Sequence, residues 1–170
     1  MLIENKKGVA PVVATILLIV LVIVIVAVVW AVINNLIKDQ LDEGEVCFGI
    51  FEKVSLNSRY TCYNSSSNES QFSINIGDID VDEVLVEISA EGTSASFKIN
   101  ETGEIEYLVM YPTRSSIITL PSKNAGSTYI FNMTGAGFSE IVNSIRIAPI
   151  IEGTQCSVSD SMYEIDRCLS

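Results

Sequence analysis

Twenty-five consecutive residues, Val9 to Ile33, carry no charge, and 23 of them are hydrophobic. As a helix this run spans about 38 Å, more than the roughly 30 Å of a bilayer's hydrocarbon. Sixteen of the 25 are Val, Ile or Thr, a density of β-branching that in water favours strand. In hydrocarbon a lone strand leaves its edges unpaired, whereas a helix satisfies its own backbone. The run therefore predicts a transmembrane helix against local propensity. Its length also separates it from a signal peptide, whose apolar stretch has 7 to 15 residues and ends at a small-residue cleavage site; none closes this run.

The flanks orient the helix. Lys6 and Lys7 precede it, while Lys38 on the far side is followed by Asp39, Asp42, Glu43 and Glu45. The lysine bias places the N-terminus in the cytoplasm and the large C-terminal part outside.

Composition narrows the chemistry. With the apolar run set aside, the rest is about 40% apolar, which suits a small soluble domain. Histidine is absent, which removes the commonest general base and transition-metal ligand. From Asp39 onward 20 acidic residues face 7 basic ones, a balance that opposes binding to nucleic acid phosphate. The expectation is neither an enzyme nor a nucleic-acid binder, with no cofactor.

Cys47, Cys62, Cys156 and Cys168 all fall in the external part, where an even count reads as disulfides. Their gaps do not match zinc-ribbon or CxxC spacings. Short loops cost least to close, which favours Cys47 with Cys62 and Cys156 with Cys168, each adding about 3 kcal/mol in the chain-entropy picture. A bridge from Cys47 to Cys168, joining the two ends of the domain, is the alternative. Four N-x-[ST] sequons accompany the cysteines, at Asn64, Asn68, Asn100 and Asn132, and mark an externally exposed chain. Asn64 and Asn68 lie in the polar tract YNSSSNES, which reads as an exposed loop; Asn132 sits in a strand-like run.

Leu36, Ile37 and Leu41 continue an apolar stripe beyond the membrane run, and Gly44 is the expected stop. The acidic residues near that end oppose the helix dipole. From Val46 the period changes from helix to strand. Phe72, Ile74 and Ile76 alternate with polar residues, as do Val84, Val86 and Ile88. Phe97 and Ile99, then Ile105, Tyr107 and Val109, continue the pattern, followed by Tyr129, Phe131 and Met133, and by Ile145 and Ile147. Turn signals separate these runs. The expected fold is a long N-terminal hydrophobic α-helix over 9–45, then an all-β head over 46–170. That head is an antiparallel, Ig-like β-sandwich of about seven or eight strands.

Asp78, Asp80 and Asp82 alternate as in a calcium loop, but the sixth and twelfth positions hold Glu83 and Ser89 where an EF-hand needs Gly and Glu. The tract reads as the wet face of a strand or turn with Ile79 and Val81 facing inward, so no metal site is assigned. A cation held through backbone carbonyls is the alternative.

Lys6-Lys7-Gly8 followed by Val9-Ala10-Pro11-Val12-Val13-Ala14 resembles the start of archaeal type IV pilins and archaellin-related proteins: a short basic leader ending in Gly, then a long apolar helix beginning V-[SA]-P-V. The resemblance covers about residues 6 to 33. It implies a leader over 1–8, cut between Gly8 and Val9 by a prepilin peptidase, and a β-sandwich head of archaellin type. The fifth mature residue would be Val13, where bacterial pilins have Glu and archaeal members commonly do not.

A helix without charge or Gly leaves a bilayer only for another apolar environment, and a bundle of identical helices supplies one. Ala10 with Ala14 and Ala27 with Ala31 form two small-xxx-small pairs suited to close neighbours. The expected function is that of a structural subunit, membrane-held as a precursor. With itself or related pilins, and with assembly machinery, it would polymerise into a surface filament for adhesion or motility. The alternative is a monomeric, membrane-anchored surface glycoprotein whose head binds a ligand.

Overall fold

The computed structural model describes residues 9–50 and 52–168. They form two compact units that divide between Gly44 and Glu45. One helix, α1 (Val9–Cys47, 39 residues), makes up the first unit and enters the second. Pro11 lies in its first turn, where the missing N–H would have had no intrahelical partner.

The helix does not stop at Gly44. It continues to Cys47, and its last turn holds no basic residue. A glycine ends a helix by taking up a left-handed backbone, and it is Gly49, at φ 80°, that does so. Gly44 instead stays helical, which costs about 1 kcal/mol against Ala.

Twelve strands follow: β1 (Val54–Leu56), β2 (Cys62–Asn64), β3 (Glu69–Ile76), β4 (Glu83–Ala90), β5 (Thr93–Ile99) and β6 (Gly103–Glu104), then β7 (Leu108–Met110), β8 (Ile117–Ile118), β9 (Ala125–Asn132), β10 (Ser144–Ile151), β11 (Thr154–Gln155) and β12 (Asp160–Tyr163). The first sheet runs β1-β3-β9-β7 with β2 also on β3; the second runs β11-β10-β4-β5 with β12 also on β10; β6 and β8 form a small third. Every strand pairing is antiparallel. Only five strands reach seven or eight residues. Those of two to four are too short to reveal an alternation, so the count exceeds the expected seven or eight.

The two large sheets share one core. Phe72, Ile74 and Ile76 of β3 meet Val84, Val86 and Ile88 of β4, together with Tyr129 and Phe131 of β9 and Ile145 and Ile147 of β10. Aromatic rings cross between the sheets, Phe72 lying 6.4 Å from Phe97 and Phe97 5.8 Å from Phe131. Phe72 also stacks on Tyr129 at 5.3 Å. The Tyr129 hydroxyl donates to the Thr119 carbonyl at 2.8 Å, and burial pushes its pKa up.

Two further expectations need correction. The run Ile105, Tyr107, Val109 is not one strand. Tyr107 has a left-handed backbone at φ 63°, which breaks the extended chain and rephases the alternation. Leu108 is therefore the residue that points into the core, while Tyr107 is exposed.

The disulfides also join differently from the short-loop expectation. Cys47 is bonded to Cys156 and Cys62 to Cys168, with Cα separations of 5.5 and 4.9 Å; neither Cys47–Cys62 nor Cys156–Cys168 forms. Each doubling of a loop adds only about 0.6 kcal/mol of closure cost, so strand neighbourhood outweighs loop length. Cys62 opens β2, and the C-terminal segment runs beside that strand: Tyr63 N–H donates to the Asp166 carbonyl at 2.7 Å and Cys168 N–H to the Tyr63 carbonyl at 2.9 Å.

Candidate assembly helix and surface sites

From Val12 to Ile33, helix α1 is apolar on every side. Within it Val12–Asn35 is long and apolar enough to cross a membrane, and none of its most apolar stretch is buried in the protein. Four consecutive residues, Leu17 to Val20, are each more than half exposed, and at about 100° per residue they cover the whole circumference. A helix of this kind needs apolar surroundings all round. Its one side-chain hydroxyl, on Thr15, donates to the Val12 carbonyl at 2.8 Å and so requires no water.

Ala10 and Ala14 share one face of α1, as do Ala27 and Ala31, since each pair is four residues apart. Ala27 stands 17 positions after Ala10, which turns the second face about 100° from the first. The small residues thus offer two contact directions. Trp30 lies near the end of the apolar run and is 65% exposed, the position where an indole suits a membrane–water interface. Its place three residues before Ile33 was the sequence signal for this. Val9, the first described residue, is already helical; Lys6, Lys7 and Gly8 lie outside the described residues.

The sequons differ in surroundings. Asn64 is exposed and its Oδ1 accepts from the Ser66 N–H at 3.0 Å. Asn100 is exposed after β5, and Asn132 is exposed with its Oδ1 accepting from the Gly135 N–H at 3.0 Å. Asn68 is held at both ends of its amide. Its Nδ2 donates to Thr134 Oγ1 at 2.6 Å, and its Oδ1 accepts from the Tyr63 hydroxyl at 2.7 Å.

Asp78 and Asp80 are wet and share Lys123, at 3.3 and 3.8 Å. The Lys123 ammonium holds the Asp78 carboxyl below its ordinary value. Asp82 Oδ2 instead accepts from the Gly153 N–H at 3.2 Å, in the β10–β11 turn where Glu152 and Gly153 have φ of 50° and 76°. Positive φ at both positions marks a tight hairpin turn, which Gly adopts freely. Ile79 and Val81 pack against the core. Two of the three carboxylates thus share a lysine while the third caps a turn, and no cluster of three or more metal-ligating side chains occurs among the described residues.

Sequence reasoning missed a basic grouping on the outer face of the first sheet. Arg59, Arg114 and Arg167 are scattered over more than a hundred positions, and only the strand order brings them to adjoining hollows. No protein-family model matches the chain, and no curated protein or solved structure matches it.

Proposed function

We propose that this chain is a structural subunit of an archaeal type IV pilus-like surface filament, polymerising through α1 and working in adhesion or motility. One observation carries the reading: the first 25 residues of α1, Val9 to Ile33, carry no charge, and in the sequence they directly follow Lys6-Lys7-Gly8. Such a helix is stable in a bilayer before assembly and in a bundle of its own copies afterwards, so assembly keeps its apolar surface out of water. Two small-residue faces about 100° apart suit a bundle in which each helix has several neighbours, more than a simple dimer. Head-to-tail addition without closure then yields a helical filament. The disulfides fit an extracellular head, and a prepilin peptidase would remove residues 1–8.

The N-terminus of the surface-exposed protein tests this reading. Mass spectrometry should find a chain beginning at Val9, and Gly8→Val should leave the precursor uncut and unassembled. Surface protein that still begins at Met1 or Leu2 would favour a monomeric membrane anchor and overturn the pilin reading.

A further inference from the structure

We propose that the outer face of the first sheet carries a binding groove for an acidic saccharide, with Arg59 and Arg167 receiving the acid group and Tyr111 stacking on the sugar ring. Polymerisation of the helix is not required for this proposal. Two open hollows of about 630 and 190 Å³ adjoin there and share Gln71, Tyr111 and Cys168.

Charge distribution singles the groove out. The head from residue 46 carries 16 acidic residues against 7 basic ones, yet three of those seven cations line the groove beside only two carboxylates, Asp166 and Glu69. Of the head's four cations elsewhere, three meet acids, Lys98 with Glu83, Lys123 with Asp78 and Arg146 with Glu87, while Lys53 makes no ion pair within the described residues. Glu69 is fully engaged by Arg114, through two hydrogen bonds of 2.7 Å. Arg59 and Arg167 make no ion pair within the described residues, although Asp166 is next in sequence to Arg167. Two arginines without an acid partner among the described residues, in one hollow of a strongly acidic head, present planar forks suited to a carboxylate or sulfate.

Both arginines stand on fixed backbone. The Arg59 N–H donates to Asn57 Oδ1 at 3.1 Å, which caps the short 3-10 turn Ser58–Tyr60. Arg167 forms a β-bridge with Tyr63, and the Cys62–Cys168 disulfide closes the same edge. Little backbone order has to be gained on binding, which favours affinity.

The remaining chemistry points to a sugar and away from a peptide. An acidic peptide would gain most by adding a strand to β2, but the C-terminal segment already occupies that edge. Tyr111 is half exposed where the hollows meet and offers a flat apolar face. The Ser58 hydroxyl and the Gln71 side-chain carbonyl add neutral hydrogen-bonding groups at the same hollow, while the Gln71 amide nitrogen is tied to the Tyr60 carbonyl at 3.2 Å. A flat apolar platform, neutral donors and acceptors, and an arginine fork together match a ring with hydroxyls and one acid group.

The test is calorimetric titration of full-length protein, held in a neutral detergent, with trigalacturonate, neutral galactotriose, hexaglutamate and inorganic sulfate. Trigalacturonate should bind saturably and more weakly as salt rises, with galactotriose at least tenfold weaker. Arg59→Ala with Arg167→Ala should weaken it at least tenfold. The Lys pair at these positions should recover only part of the loss, because the charge returns without the fork. Tyr111→Ala should weaken binding and Tyr111→Phe should retain it, while Arg146→Ala, outside the groove, should change nothing. Both disulfides, checked by mass, report that each variant folds. Absence of trigalacturonate binding, binding unchanged by both the arginine and Tyr111→Ala variants, tighter binding of hexaglutamate, or equal binding of sulfate alone would each overturn the assignment.

Discussion

The Arg114 guanidinium grips the Glu69 carboxylate with two parallel hydrogen bonds of 2.7 Å, fastening the loop after β7 to β3 across β9. Glu69 is mostly covered while Arg114 remains exposed. The fork holds the Glu69 carboxyl below its ordinary value of 4.5. Arg114→Ala should therefore destabilise the head only modestly at neutral pH, because solvent screens a pair whose cation is exposed.

The pH dependence of that loss has a definite sign. A carboxyl whose folded pKa is depressed adds stability that is fully present above its unfolded pKa and disappears as pH falls through the folded value. Urea titrations of the wild type and Arg114→Ala should differ most near pH 7 and converge in acid, below the ordinary carboxylate range. A gap that stays constant down to pH 2 would show that packing, and not the ion pair, is what the substitution removes.

Peptide mapping of unreduced protein should recover Cys47 joined to Cys156 and Cys62 joined to Cys168. Each bridge spans more than a hundred residues, for which the chain-entropy picture gives about 4.7 kcal/mol. The loops interleave, so the second closure acts on a chain already shortened by the first, and removing both should cost more than the two single losses added, because each bridge left alone retains part of the constraint. The double variant Cys62→Ala, Cys168→Ala should lose about 2 to 5 kcal/mol. Recovery of a Cys47–Cys62 peptide would contradict the fold.

Glycan occupancy in the folded head should follow the amide contacts. Asn64, Asn100 and Asn132 present exposed side chains. A glycan on Asn68 would have to be built at the Nδ2 atom that bonds Thr134, and the Ser70 of the same sequon is completely buried. Intact glycopeptide analysis should find Asn68 unmodified. A fully occupied Asn68 would show that the amide contacts form only after modification, or not at all.

Ile23 lies mid-helix and is 62% exposed. Ile23→Asp places a carboxylate there at a cost of about 2.5 to 3.5 kcal/mol on insertion scales. In a bundle every copy repeats the cost and brings like charges together, so filaments should be absent by electron microscopy even where some protein inserts and the head retains both disulfides. A monomeric anchor would show only a graded fall in membrane-bound protein. Normal filaments from this variant alone would remove the helix from the proposed bundle.

Much of this architecture is legible along the chain because two signals are local. Charge-free apolar length marks the helix, and alternation places Phe72, Ile74 and Ile76, Val84, Val86 and Ile88, and Ile145 and Ile147 inside. Features that depend on which strands become neighbours are not legible in this way. Cys62 meets Cys168 because the C-terminal segment lies along β2, a pairing that no spacing rule contains. Tyr107 breaks its run through a backbone angle that tyrosine rarely adopts, so alternation alone misplaces Leu108. Arg59 and Arg167 read as unrelated surface charges until the same edge draws them together. Gly44 and Gly49 are both credible helix stops by composition, and only the backbone at each one distinguishes them.

The interleaved bridges also decide how the head bears tension. Between Cys47 and Cys168 the chain counts 121 steps, which unravelled would reach about 400 Å at 3.4 Å each. Through the Cys47–Cys156 bond the covalent route shortens to the 12 steps from Cys156 to Cys168, about 40 Å of slack. A pull applied between the helix and the C-terminal segment is carried by sulfur–sulfur bonds before the sheets can be peeled apart, so the head should fail mechanically only after reduction.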